Sequence, residues 1–233
     1  MSAFAPRRRL YLMRHGSVDY FGSDGTPVPP DTVALNAEGE RQADAAGALF
    51  QQCGVRFDRA LVSGLPRTVQ TAERVLAAAG QNLSLEHHPA LREIRSGRLA
   101  DIPPDQLEQA FLGAFRARAD VESQRFLGGE SIGELLDRAL PAFEALCARS
   151  DWQSMLLVLH GGLNRALISA SLAGQRAFFG RLEQQPACIN VLDIASTGET
   201  VVRSINLAPT QWLHERERYT TMEKLLAQYR AGL

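Results

Sequence analysis

Apolar residues in this chain come in short unbroken runs, separated by longer stretches in which they recur every three or four positions. Residues 10–13, 60–62 and 155–159 are runs of the first kind, bounded by polar or charged residues, and they fit strands covered on both faces. Residues 189–194 and 200–205 pattern as more amphipathic strands, and a further strand is expected near 83–86. Helical spacing covers about 36–53, 66–79, 131–148, 163–172 and 215–229.

Strand and helix therefore alternate. With strands this uniformly apolar, the expected fold class is α/β: a three-layer sandwich with a mostly parallel central sheet and helices on both faces. The last two strands are joined by Ala195-Ser196-Thr197-Gly198-Glu199, which predicts a hairpin at one edge and makes the sheet mixed. Two stretches resist the scheme. Residues 18–33 contain Gly22, Gly25, Pro27, Pro29 and Pro30 and must form a long loop. Residues 95–130 carry a helical segment at about 105–118 between Pro103-Pro104 and Gly128-Gly129, the pattern of a small helical cap insertion. No repeat, low-complexity tract or linker divides the chain, so one domain over 1–233 is expected.

At 233 residues and 45% hydrophobic, the chain can bury a full core. Its 25 Lys and Arg nearly cancel its 26 Asp and Glu, so no long-range field draws nucleic acid or an anionic membrane, and any anion site must be local. The apolar run behind Arg7-Arg8-Arg9 ends at Met13, too short for a secretory leader, and no later run reaches the ~18 apolar residues of a spanning helix. A cytoplasmic location is the expectation. Cys53, Cys147 and Cys188 are widely spaced and odd in number, which predicts buried thiols rather than disulfides or a thiolate metal site.

Candidate chemistry stands at the strand exits, because ligands of open α/β sheets bind beyond the carboxyl ends of the strands. Arg14-His15-Gly16-Ser17 comes after the first strand, Ser63-Gly64-Leu65-Pro66-Arg67 after the second, Leu91-Arg92-Glu93 after the one near 83–86, and His160-Gly161-Gly162 after the run at 155–159. Each exit supplies a cation, an imidazole or a carboxylate, and three of the four add a glycine or serine that permits close backbone approach or caps a helix. His87-His88 lacks ligand spacing and His214 has no visible partner, so neither is assigned a role.

Taken in order, Arg14-His15-Gly16, Leu35-Asn36-Ala37-Glu38-Gly39 with Gln42-Ala43, Ser63-Gly64-Leu65-Pro66-Arg67 with Gln70-Thr71-Ala72, Leu91-Arg92-Glu93, Gly128-Gly129-Glu130-Ser131 and His160-Gly161-Gly162 resemble the histidine phosphatase superfamily, the phosphoglycerate mutase-like proteins. The resemblance implies a phosphohistidine enzyme in which His15 is the nucleophile and Glu93 is first general acid, then base. Arg14, Arg67 and His160 would hold the phosphoryl oxygens, with Ser17 and Gly161 as further phosphate contacts. Arginines suit that task because a guanidinium is permanently charged and forks onto two oxygens, so neither metal nor cofactor is expected. Two neighbouring arginines should also keep His15 neutral.

The chain departs from the family pattern in two places. The mutase branch typically has Ser or Thr three residues after the nucleophile and Asn six after it, where this chain has Val18 and Phe21. The glycine-rich, often aromatic and acidic stretch usual after the carboxylate is Ile94-Arg95-Ser96-Gly97-Arg98-Leu99 here. The first departure favours a small-molecule phosphatase over a mutase, with a phosphoprotein phosphatase and a non-catalytic phosphate-binding module as alternatives. Arg95, Arg98, Arg116, Arg118 and Arg125 lie in the cap beside Phe111, Phe115 and Phe126. The simpler expectation is core phenylalanines and solvated arginines, the sharper one a site for a second anionic group or an aromatic ring. Homodimerisation through the edge hairpin is left open.

Overall fold

The computed structural model describes residues 6–117, 120–215 and 217–232. Its elements run β1 (Arg8–Arg14), α1 (Ala37–Gln52), β2 (Arg59–Val62), α2 (Pro66–Ala78), β3 (Leu85–His87), α3 (Leu107–Arg116), α4 (Ile132–Ala148), β4 (Ser154–Leu159), α5 (Gly161–Ala173), β5 (Ile189–Ile194), β6 (Thr200–Leu207) and α6 (Thr221–Ala231), with four short 3-10 turns between β3 and α4. The strands form one sheet in the order β3-β2-β4-β1-β5-β6. β1 to β4 pair in parallel, whereas β5 runs antiparallel to β1 and β6 antiparallel to β5. The fold is the α/β sandwich expected from the sequence, and the 189–205 hairpin forms one edge of its mixed sheet.

The unbroken apolar strands are explained by burial on both sides. Leu10, Leu12, Leu157 and Leu159 point into one core with Leu135, Leu136, Leu163 and Leu167 of α4 and α5. Their neighbours Met13, Leu156 and Val158 point into a second core with Ala43, Phe50, Ala72 and Val75 of α1 and α2. Alternate residues of one strand thus feed opposite layers. Helix ends obey the chain's capping residues: Asn36 accepts from Gly39 N, Pro66 opens α2, and Ser131 with Glu134 and Thr220 with Glu223 form capping boxes on α4 and α6.

Two expectations need correction. The last helix begins at Thr221, not near 215, because the capping box at Thr220 sets its start. Cys53 is exposed at the C-cap of α1, while Cys147 and Cys188 are buried thiols that desolvation pushes up to about 12. The phenylalanines of 95–130 are largely core: Phe111 joins Leu107, Leu112 and Leu127 in a small cluster completed by Leu226 of α6, and Phe126 packs against it. Among the arginines of this segment Arg116 pairs with Glu108 and Glu223, Arg125 with Glu134, and Arg98 is exposed, while Arg95 and Arg125 line a surface hollow together with Glu130, Glu134 and Arg138. Arg118 lies outside the described residues. Among the described residues no helix is long and apolar enough to cross a membrane.

Candidate active site

The carboxyl ends of β1, β2 and β4 converge. His15 continues β1, its N–H donating to Leu159 O at 3.0 Å while its carbonyl accepts from Ala187 N at 3.1 Å, so the backbone on either side of the imidazole is fixed. The next turn is braced by α1 and α2. Gly16 N donates to Thr71 Oγ1 (3.0 Å), Ser17 N to Gln42 Oε1 (2.9 Å) and Leu35 N to Gln70 Oε1 (2.8 Å). A Cβ on Gly16 would stand 2.5 Å from Gly39 O, and one on Gly39 would fall on the Ser17 carbonyl, so the turn needs both glycines. Gly39, Gln42, Gln70 and Thr71, conspicuous in the sequence without an assigned task, hold the His15 loop in place.

The rings of His15 and His160 stand edge to face, their centroids 5.4 Å apart. His15 is 2% exposed, His160 0%, Arg67 2% and Arg14 6%, so two cations and two imidazoles share one enclosed place at the carboxyl end of the central strands. Burial, and after it the charges of Arg67 and Arg14, hold His15 well below the usual imidazole range. The sequence foresaw the arginines' effect but not that desolvation exceeds it. His15 Nδ1 lies 2.7 Å from Gly16 O. A carbonyl only accepts, so Nδ1 carries the proton and Nε2 keeps a free lone pair.

Arg14 is anchored through NH1 to Gln184 O (2.6 Å) and Thr221 Oγ1 (2.9 Å), and Arg67 through NH1 to Pro30 O (2.5 Å). Each keeps its buried Nε without a partner. Buried donors left unpaired are costly, and an anion is the ligand that would satisfy them. The loop at 18–33 and helix α6 therefore both reach the site through an arginine.

Glu93 is also at the site, bound to the start of α5. Its Oε2 accepts from Gly162 N (2.9 Å), and its Oε1 accepts from Leu163 N (2.9 Å) and Ile94 N (2.9 Å). His160 occupies the N-cap position of that helix without a side-chain cap bond, so the carboxylate caps it instead. Arg138 secures this segment by donating to the carbonyls of Ala90, Arg92 and Glu93 and to Glu130, which explains the Gly128-Gly129-Glu130-Ser131 signal. Gly161 opens α5 where a Cβ would lie 3.4 Å from Arg14 Nε and 3.5 Å from NH1 of Arg165. Ser17 is further out: its hydroxyl is 3.4 Å from Asn36 Nδ2 and its N–H is committed to Gln42.

Sequence reasoning missed Arg165, a third buried guanidinium near Arg14, paired with Glu183 at 2.8 Å and stacked 5.0 Å over Phe115. Its position five residues after His160, on the face of α5 that meets the loop before β5, was the only available signal.

At the strand ends of this α/β sheet a histidine with a free Nε2, a second buried histidine and two anchored arginines stand together, an arrangement chemically suited to an anion. A family model for the histidine phosphatase superfamily (branch 1) matches residues 10–207, and the chain belongs to that family. It is 31% identical over 165 residues to a probable phosphoglycerate mutase of Salmonella paratyphi A, covering 70% of this chain and 74% of that protein. It is 28% identical over 188 residues to a 2,3-bisphosphoglycerate-dependent phosphoglycerate mutase of Latilactobacillus sakei, covering 68% and 82%. Among solved structures it resembles a putative alpha-ribazole-5'-P phosphatase of Escherichia coli, with a TM-score of 0.67, 27% identity, and 85% and 96% of the two chains covered.

Proposed function

We propose that the protein is a phosphatase that hydrolyses a small-molecule phosphomonoester through a phosphohistidine on His15, without a metal ion. The observation that carries this reading is the free Nε2 of a buried, neutral His15 beside two anchored arginines. In the first step Nε2 attacks phosphorus as the ester P–O bond breaks, Arg14, Arg67 and His160 hold the phosphoryl oxygens, and the leaving oxygen takes a proton from Glu93. In the second, water attacks phosphorus and gives a proton to Glu93 as the Nε2–P bond breaks, releasing phosphate and restoring the histidine. Gly161, at the start of α5 beside Arg14, is suited to meet a phosphoryl oxygen with its N–H, and Ser17 to reach one from the loop.

Enclosure favours a small molecule over a phosphoprotein, since His15 and His160 lie beneath the surface. Val18 and Phe21 favour hydrolysis over mutase chemistry, because a mutase must retain its phosphohistidine and turn a bound intermediate around. Hydrolysis of p-nitrophenyl phosphate in chelator-treated buffer, lost in His15→Ala, is the expected result. No His15-dependent turnover would leave a phosphate-binding module as the reading. Rapid interconversion of 3- and 2-phosphoglycerate would replace the phosphatase with a mutase.

A further inference from the structure

Ser63 and Thr68 have no part in the mechanism above, yet both are fully buried, Ser63 against His160 and Thr68 against Ser63. Gly64, in the left-handed region at φ +90°, lets the chain turn from β2 into α2 so that Ser63 and the first turn of that helix meet. Three contacts then form a row: Thr68 Oγ1 to Leu65 O at 2.8 Å, Ser63 Oγ to Thr68 Oγ1 at 3.1 Å, and Ser63 Oγ to His160 Nε2 at 2.8 Å. Leu65 O can only accept, so the single hydroxyl proton of Thr68 goes to it. Thr68 must then accept at its other contact, which takes the single hydroxyl proton of Ser63. Ser63 in turn must accept from His160. The row has one direction, and it places the proton of a neutral His160 on Nε2.

His160 Nδ1 is consequently a bare lone pair, buried and without a partner. This is the opposite tautomer to His15, whose bare nitrogen is Nε2. Burial, then the charges of Arg67, His15, Arg14 and Arg138, disfavour a second proton on this ring, and Glu93 is the carboxylate nearest the start of its helix. A bare Nδ1 cannot donate to a phosphoryl oxygen, and the oxygens of a phosphate dianion cannot donate to it. The contact forms only with one proton between them.

We propose that Ser63 and Thr68 are positioning residues that lock His160 in its Nε2–H form, so that the site takes its phosphate group with one proton seated between a phosphoryl oxygen and Nδ1. This rests on His160 holding a phosphoryl oxygen, as in the function proposed above. The selected ligand class is the protonated monoanion of a phosphomonoester or, as a probe, of inorganic phosphate. Thr68→Val releases the Ser63 hydroxyl proton, which can then be given to His160 Nε2. The ring turns over to its Nδ1–H form and accepts the dianion directly.

The test uses inorganic phosphate and histidine-labelled protein. Nitrogen NMR of the free wild type should show His160 protonated on Nε2, and calorimetry at about pH 8 in buffers of differing ionisation enthalpy should show about one proton taken up per phosphate bound. In Thr68→Val the uptake should fall towards zero and the alkaline limb of kcat/KM for p-nitrophenyl phosphate should move upward, while Thr68→Ser keeps the wild-type pattern. Ser63→Ala should also lose the uptake; if it does not fold, the wild-type spectrum and the two Thr68 variants decide alone. An Nδ1–H His160 in the free wild type, binding without proton uptake, or uptake unchanged in Thr68→Val overturns the proposal. A wild type that binds phosphate with proton uptake but turns over no ester refutes the phosphatase and leaves the tautomer lock standing.

Discussion

At the scale of single residues, Glu93 carries two tasks that can be separated. Its carboxylate caps α5 with bonds to Gly162 N and Leu163 N, and in the proposed reaction it also moves the proton of the leaving group. Glu93→Gln keeps an acceptor for the helix but has no acidic proton. With an alkyl phosphate, whose leaving oxygen needs protonation, kcat should fall by about 10²–10⁴-fold, whereas p-nitrophenyl phosphate, whose leaving group departs as an anion, should lose far less. Equal losses on both substrates would make Glu93 a cap and nothing more. The sequence made Glu93 visible because a carboxylate stood at a strand exit, and it made His15, Arg14, Arg67 and His160 visible for the same reason. It could not show the three backbone N–H groups Glu93 accepts from, nor that Thr68 reaches His160 through the Ser63 hydroxyl, because these depend on how α2 and α5 are placed in space. Arg165 escaped for a related reason: on a helix, a lone arginine looks solvated until the loop carrying Glu183 closes over it.

At the scale of elements, the nucleophile loop is held by helix starts rather than by the strand alone. Gly39 in the first turn of α1 faces the Ser17 carbonyl so closely that Gly39→Ala must push α1 off the loop. The expected result is a folded but destabilised protein, by about 1–3 kcal/mol as for other overpacked sites, with turnover reduced more than the stability loss explains, because His15 moves with the loop. Unchanged turnover would mean that the loop does not depend on α1. The start of α4 gives a contrasting case. Ser131 caps that helix and touches no candidate catalytic group. Ser131→Ala should cost about 1 kcal/mol in denaturant unfolding and leave KM and kcat alone. The strands were legible because burial on both faces leaves them uniformly apolar. The start of α6 was not, because charged residues at 215–218 extend the helical pattern past the Thr220 capping box where the helix begins.

At the scale of the whole molecule, a nearly neutral chain buries a group of cations and two imidazoles at one end of its sheet, and this makes stability depend on pH in a defined window. Both histidines are held well below their ordinary value of 6.5 by burial first. In the unfolded chain they bind protons as pH falls through 6.5, while in the folded protein they stay neutral. Between those limits the unfolded state holds more protons, so stability rises with pH there and is lost on acidification. Above 6.5 neither state is protonated at these sites and the histidines add no pH dependence. Carboxylates held low in the fold, such as Glu130, where burial is outweighed by bonds from Arg138 and the Arg95 N–H, and Asp193, bonded to Arg9, lose their contribution only as pH falls below their ordinary values of 4.5 and 3.8. The span from 6.5 down to 4.5 therefore belongs mainly to imidazoles. Each buried histidine contributes at most about 1.4 kcal/mol per pH unit below 6.5, for as long as the folded protein keeps it neutral. Urea unfolding of the wild type should show this loss, and His15→Asn with His160→Asn should flatten it while leaving the steeper fall at lower pH in place. An equally steep loss in the double variant would show that the two rings are not held neutral in the fold, and would remove the basis for a nucleophilic His15 Nε2.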